Sequence, residues 1–238
     1  MRIAIVGYGR MGHEIEAVAK ERGHSVDLII DKDNAAQMTA ENLAAVDVVI
    51  EFTSPSTAFD NVATALRAGV AVVCGTTGWL DKMPEAVEIC NQCGGSFFYA
   101  SNFSVGVNVV FAVNKKLAEL MRNFPQYDVT IDETHHTGKV DAPSGTAITL
   151  AQGILENCPR KESWVEGWTT NPTELGVASL RRGVVPGIHT VVWESEQDTI
   201  TLSHSAKGRR GLAMGAVMAA EFAVGKKGVF SMNDLLGI

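Results

Sequence analysis

Short apolar runs, broken by glycines and polar turns, set the rhythm of the first part of the chain. Residues 2–6 form such a run and lead into Gly7-Tyr8-Gly9-Arg10-Met11-Gly12. A helical period follows over 13–22 and stops at Gly23. Further strands are predicted at 25–30, 45–52, 70–74 and 96–100, with helices at 59–68 and 81–93 between them. Strands alternating with helices at this spacing imply a parallel sheet covered on both faces.

Beyond residue 100 the rhythm changes. Residues 105–122 carry one long helical pattern. Strands are then expected at 128–135, 178–182, 189–196 and 199–204, with one helix over 146–155 among them. The polar stretch 157–172 reads as a surface loop. This pattern predicts an α+β unit with a mixed, largely antiparallel sheet. A last helix at 213–224 is rich in small residues that suit packing against the first unit.

Composition narrows the class. The chain has 238 residues, 46% of them hydrophobic, enough to bury one large core or two smaller ones. No apolar run approaches the roughly 20 residues that span a bilayer, and the opening residues do not read as a secretory signal. A cytoplasmic protein is expected. The formal net charge of −7 argues against a nucleic-acid surface. Any anionic ligand must find its positive charge locally. Cysteines stand at 74, 90, 93 and 158. The Cys90-x-x-Cys93 pair has no second pair to complete a zinc ribbon, so reduced thiols and no metal site are expected.

The glycine loop carries the first chemistry. Gly7-x-Gly9-x-x-Gly12 follows a strand and opens a helix, as a dinucleotide pyrophosphate requires. Gly7 permits the turn, Gly9 lets the backbone approach phosphate, and Gly12 lets helix and strand pack closely. Tyr8, Arg10 and Met11 complete the loop. Asp31 ends the second strand about 20 residues on, where a carboxylate takes the adenosine ribose hydroxyls. Asp31 repels a 2′-phosphate and Lys32 can pair with one, so NADH and NADPH both stay open. Lys32 is equally well a solvated surface lysine. Gly75-Thr76-Thr77-Gly78 closes the fourth strand, either as a plain turn or as a contact for the nicotinamide carboxamide.

The second chemistry lies in Glu133-Thr134-His135-His136-Thr137-Gly138-Lys139-Val140-Asp141-Ala142-Pro143-Ser144-Gly145-Thr146-Ala147. Neighbouring strand residues face opposite ways, so His135 and His136 share a pocket only where the strand ends or bulges. Gly138 allows that. A helix then starts near Ser144, and its first N–H groups form an anion site beside the Lys139 ammonium. An isolated His-His pair is as readily a surface turn.

This stretch resembles the signature of the dihydrodipicolinate reductase family, in which an acid, His-His and Lys-x-Asp-Ala-Pro-Ser-Gly-Thr occur in this order. Phe52-Thr53-x-Pro55, Gly75-Thr76-Thr77-Gly78 and the run from Ala100 to Asn108, containing Ser101, Asn102 and Phe103, are also similar to family segments. So are Gly187-Ile188-His189-Thr190 and His204-Ser205-Ala206, followed by Arg209 and Gly215-Ala216. The likeness runs nearly end to end. There are departures. The phosphate loop is one residue shorter than is common there, and the 155–179 loop is short. Leu212 replaces an aromatic, and Lys207-Gly208-Arg209-Arg210 is unusually basic. These bear on cofactor preference and subunit contacts.

The resemblance implies a Rossmann-type α/β domain over 1–102 and 207–238. It implies an α+β substrate and tetramerisation domain over 103–206 with a mixed sheet. It further implies NAD(P)H-dependent reduction of 4-hydroxy-tetrahydrodipicolinate, a small cyclic dicarboxylate of the diaminopimelate route to lysine, by a homotetramer. By that analogy His135 donates a proton, and Lys139 pairs with a substrate carboxylate and assists as an acid. His136, Gly145 and Thr146 bind substrate. Gly7 to Gly12, Asp31, Lys32, Phe52, Thr53, Gly75, Thr76, Thr77, Ser101, Asn102 and Phe103 hold the cofactor. The competing readings are another two-domain NAD(P)-dependent oxidoreductase, such as an amino-acid dehydrogenase, and a dinucleotide-sensing regulator. The first does not need the His-His-Lys motif, and the second wants a DNA-binding segment that the acidic chain lacks.

Overall fold

The computed structural model describes residues 1–238. In chain order the elements are β1 Arg2–Val6, α1 Arg10–Glu21, β2 Ser25–Ile30, α2 Ala40–Leu43, β3 Val48–Glu51, α3 Pro55–Arg67, β4 Ala71–Cys74, α4 Met83–Cys93 and β5 Ser96–Tyr99. Then come α5 Val105–Met121, β6 Asp128–His135, α6 Gly145–Asn157, β7 Ser163–Glu166, β8 Glu174–Arg181, β9 Ile188–Glu194, β10 Thr199–Ser205, α7 Arg210–Ala223, β11 Gly228–Phe230 and α8 Met232–Leu236. The chain divides into two compact units, Met1–Val105 with Arg209–Ile238, and Gly106–Gly208. No helix is long and apolar enough to cross a membrane.

The first unit is a parallel sheet in the order β11-β5-β4-β3-β1-β2. Its central strands are apolar at nearly every position because both faces are covered. Side-chain alternation sends Ile3 and Ile5 of β1 to one face, where α1 and α7 supply Ile15, Val18, Ala216 and Ala220. Ala4 and Val6 face the other way, against Val62 and Leu66 of α3 and Ala86 of α4. The small residues of α7 let it lie close: a Cβ on Gly215 would stand 1.7 Å from the Phe103 carbonyl oxygen. The expected parallel sheet is present, and the chain adds to it. β11 pairs with β5 at the sheet edge, and α8 follows. Neither was legible, because three residues in β11 and five in α8 are too few to show a period.

The second unit has a five-stranded sheet in the order β10-β9-β6-β8-β7. Here two expectations are corrected. The sheet is not largely antiparallel: β6–β8 and β8–β7 are parallel, while β6–β9 and β9–β10 are antiparallel. α6 joins β6 to β8, and a helical crossover returns the chain in the same direction. The stretch 157–172 is not all loop, since it contains β7. Four residues, Ser163-Trp164-Val165-Glu166, are too few to show alternation amid polar neighbours. Ile131, Val177, Val191 and Trp193 on one sheet face pack with Leu150, Ala151 and Ile154 of α6 and Ala118 of α5.

Candidate active site

Three loops at the carboxyl ends of β1, β3 and β4 interlock in the first unit. Gly7 has φ +94°, and a Cβ there would stand 2.0 Å from the Phe52 carbonyl oxygen. A Cβ on Gly12 would stand 2.5 Å from the Gly7 carbonyl oxygen, and one on Gly75 would meet the Phe52 ring at 2.2 Å. Only glycine fits these positions. Gly9 is different, since nothing lies within 4 Å of a Cβ built there. Its backbone faces open space, as a loop that receives phosphate must. Gly9 caps α1 without a side-chain hydrogen bond, and the first turn holds no acid. Helix geometry leaves the N–H groups of Arg10, Met11 and Gly12 without intrahelical acceptors. These residues fit a pyrophosphate.

The other predicted cofactor residues divide into two groups. Asp31 and Lys32 are exposed just past β2, and the Asp31 N–H donates to Asn34 Oδ1 at 2.7 Å. Tyr8 gives its hydroxyl hydrogen to Glu16. Thr53, Thr77 and Ser101 are exposed, and Asn102 is half-buried. Thr76 is instead spent on structure: its hydroxyl accepts from the Thr53 N–H at 2.8 Å, and its carbonyl accepts from Trp79 Nε1 at 2.8 Å. Phe103 is buried against Phe52 and Phe98. Sequence reasoning missed Glu51. This fully buried carboxylate accepts from the Thr53 N–H at 3.1 Å, from the Thr53 hydroxyl, and from Cys74 Sγ at 3.0 Å. It holds the Phe52-Thr53 loop in place. The carboxylate also pushes the buried Cys74 thiol up, after burial itself. All four cysteines are unpaired thiols.

The second cluster grows out of the alternation of β6. Val129, Ile131, Glu133 and His135 share the buried face, whereas Thr130, Asp132 and Thr134 face the other way. An apolar face thus ends in a carboxylate and an imidazole. Glu133 is 1% exposed and His135 is 8% exposed. Register supplies their neighbours. Ser179 on β8 and His189 on β9 flank Glu133, and Arg181 on β8 flanks His135. Glu133 Oε1 accepts from the Ser144 N–H at 3.0 Å, Ser179 Oγ at 2.8 Å and Arg181 Nη2 at 3.1 Å. Its Oε2 lies 3.2 Å from His135 Nδ1 and 3.6 Å from His189 Nε2. Burial pushes the Glu133 carboxyl up, but His189, Ser144 and Ser179 outweigh it and hold it well below the usual range. Burial pushes His135 down to about 4, against the pull of Glu133 and with help from His189, Lys139 and Arg181.

The strand ends at His135, and His136 follows half-buried. A turn closes by the Lys139 N–H donating to the His136 carbonyl at 3.1 Å. Arg181 ties this turn to the sheet through the Lys139 and Asp141 carbonyls. Lys139 Nζ meets Asp141 Oδ1 at 2.8 Å. Ser144 caps α6, its Oγ accepting from the Ala147 N–H at 3.3 Å and lying 3.0 Å from His189 Nε2. Gly145 is exposed with open space where a Cβ would be, and Thr146 is half-buried beside it. So His135, Lys139 and the α6 start belong to one local cluster, joined through Glu133, Arg181 and Ser144. Sequence reasoning placed the Ser144 turn at the anion site and met Glu133 and His189 only within family-like segments, but gave no role to Glu133, Ser179, Arg181 or His189. Glu133 alone had a usable signal: it stands two residues before His135, hence on the same strand face.

Comparison with known proteins covers the whole chain. The family model for the N-terminus of dihydrodipicolinate reductase matches residues 1–103, and that for its C-terminus matches residues 106–236. The 4-hydroxy-tetrahydrodipicolinate reductase of Christiangramia forsetii is 46% identical over 239 residues, covering 99% of this chain and 98% of that protein. The enzyme of that name from Ralstonia pickettii is 32% identical over 266 residues, spanning 100% of both chains. Among solved structures, a dipicolinate-bound dihydrodipicolinate reductase from Paenisporosarcina sp. TG-14 superposes with a TM-score of 0.76 at 22% identity, covering 97% of each chain.

Proposed function

This chain belongs to the dihydrodipicolinate reductase family, and from that premise we propose how its residues carry out the NAD(P)H-dependent reduction of 4-hydroxy-tetrahydrodipicolinate to tetrahydrodipicolinate in lysine biosynthesis. The cofactor binds to the domain of residues 1–102 and 207–238, with Phe103 just past its boundary, and the substrate binds within 103–206. What NADH or NADPH would supply when bound is a hydride; together with one proton, and with the ring's 4-hydroxyl leaving as water, this balances the reduction. The open backbone at Gly9 and the N–H groups of Arg10, Met11 and Gly12 take its pyrophosphate. Asp31 takes the adenosine ribose, with Lys32 beside it, so both cofactors are used. Phe52, Thr53, Gly75, Thr76, Thr77, Ser101, Asn102 and Phe103 shape the rest of the site, several of them through packing.

The second cluster holds the substrate and gives the proton. Lys139 already reaches one carboxylate, that of exposed Asp141, and exchanges it for a substrate carboxylate. Gly145 and Thr146 add the positive end of α6, and His136 lines the same turn. His135 is the proton donor. Glu133 faces its Nδ1, which leaves Nε2 as the working nitrogen, next to the bare backbone of Gly187. The buried Glu133–His135 pair beside a ready anion site is the observation that carries this reading. The enzyme works in the cytoplasm as a homotetramer, in which the sheet face of the second unit opposite α5 and α6 makes subunit contacts. Neither a membrane nor a nucleic acid takes part.

The deciding experiment follows 340 nm absorbance on freshly made substrate with each cofactor. General acid catalysis contributes about 10²–10⁴-fold, so His135→Gln should lower kcat by that factor and leave NADH affinity unchanged. Unaltered kcat in the variant would refute the assignment.

A further inference from the structure

We propose that Glu133, His135 and His189 form a zinc-binding site, and that the zinc-loaded protein is inactive. Three observations carry this. The first is donor type. Two imidazoles and one carboxylate are a common set for Zn²⁺, with a fourth position left for water or another ligand. The second is geometry. Tetrahedral bonds of about 2.0–2.2 Å place ligand atoms roughly 3.3–3.6 Å apart. Glu133 Oε2 stands 3.2 Å from His135 Nδ1 and 3.6 Å from His189 Nε2. All three atoms lie within 4.8 Å of one another.

The third observation is the poor hydrogen bonding of two of these atoms. Glu133 Oε2 and His135 Nδ1 are fully buried and, though they face each other at 3.2 Å, form no well-aligned hydrogen bond with each other or with any other group. Unpaired buried polar atoms are costly and rare. Here both point into the same small space. Glu133 Oε1 cannot share the task, because Ser144, Ser179 and Arg181 already occupy it. Those three donors fix the carboxylate from behind, as outer groups do for metal ligands. A dication between Oε2 and the two rings would give both poorly bonded atoms a directed partner at once.

Two features oppose loading and set its strength. Arg181 brings a positive charge to the far side of the carboxylate. His189 Nε2 now meets Ser144 Oγ at 3.0 Å, so the metal must displace that hydroxyl, which still caps α6. Affinity in the micromolar range is expected rather than that of a permanent structural zinc. Inhibition rests on the reading of His135 as proton donor, since zinc on Nδ1 holds the ring and its charge. Binding does not rest on it.

The test is a calorimetric titration of the full chain with ZnCl₂, with neither cofactor nor substrate present. One ion per chain is expected. His189→Gln and, separately, His135→Gln should each weaken binding by at least about tenfold, with folding checked by circular dichroism. Two variants guard against one of them misfolding. Co²⁺ in place of Zn²⁺ should show visible bands of a tetrahedral nitrogen and oxygen site without thiolate charge transfer. No binding by the wild type, equal binding by both variants, or a thiolate band would overturn the site. In the wild type, zinc should stop turnover and a chelator should restore it. Zinc binding with undiminished turnover overturns the inhibitory half. A protein that binds zinc yet never reduces the ring refutes the reductase reading and leaves the metal site standing.

Discussion

Burial, helped by His189, Lys139 and Arg181, pulls the His135 imidazole down to about 4, and the Glu133 carboxylate only partly resists. At neutral pH the free protein therefore holds His135 uncharged. To act as the proposed proton donor, His135 must be charged. The substrate resolves this, because its two carboxylates favour the imidazolium once bound. Binding of pyridine-2,6-dicarboxylate, a flat ring with the same two charges, should take up part of a proton per site at pH 7. Calorimetry in buffers of different ionisation enthalpy measures this directly, and zero uptake would mean that His135 does not sense the anion. His135→Gln should abolish the uptake. Lys139 makes a separate contribution as a point charge. Lys139→Met keeps most of the stem and deletes the charge-assisted bond, worth roughly 1.5–3 kcal/mol, so the same ligand should bind about 10- to 150-fold more weakly. Equal binding would put the anion site elsewhere. Of this site, the motif residues were visible in the sequence, since His135, His136 and Lys139 are neighbours along the chain. Ser179 and Arg181 were not, and His189 showed only as part of a family-like segment with no role, because cross-strand register brings all three in from distant stretches.

At the scale of elements, α7 shows how a helix is held by what it lacks. Its buried positions are mostly alanine and glycine, among them Ala213, Gly215, Ala216, Ala219, Ala220 and Ala223. The closeness they permit is tightest at Gly215, where a Cβ would overlap the Phe103 carbonyl. That obstacle is backbone and cannot swing aside. Gly215→Ala should cost about 1–3 kcal/mol through overpacking, read as a lower midpoint in urea unfolding. Because Phe103 also packs on Phe52, the variant should raise the KM for NADH as well. A stability equal to wild type would mean that α7 can back away freely. The period of α7 was legible in the chain. Its depth in the core was not, since small residues suit a tight helix contact and an exposed surface alike. The short strands β7 and β11 were hidden for another reason. Three or four residues define no period, and only pairing with a neighbouring strand makes them strands.

At the scale of the molecule, the second unit leaves one sheet face without a helix of its own. Thr134, Leu180 and Val192 point that way, opposite the face that packs on α5 and α6, and Leu180 is 54% exposed. In the proposed homotetramer this face meets other subunits, so Leu180→Lys should shift the mass measured by light scattering toward smaller species. A wild type that is monomeric at micromolar concentration would contradict the assembly, as would a variant with unchanged mass. The chain by itself determined the alternation of strands and helices in the first unit, the dinucleotide loop and the His-His-Lys motif. These depend on residues close together in the sequence, where side-chain period, glycine turns and helix starts act locally. Only the tertiary structure decided that half the pairings of the second sheet are parallel. It alone decided that Phe52 sits where Gly7 and Gly75 must lack side chains, and that Glu133 gathers two histidines, two serines and an arginine. Each of these depends on which strand lies beside which, and that is settled by burial of whole faces rather than by any local run of residues.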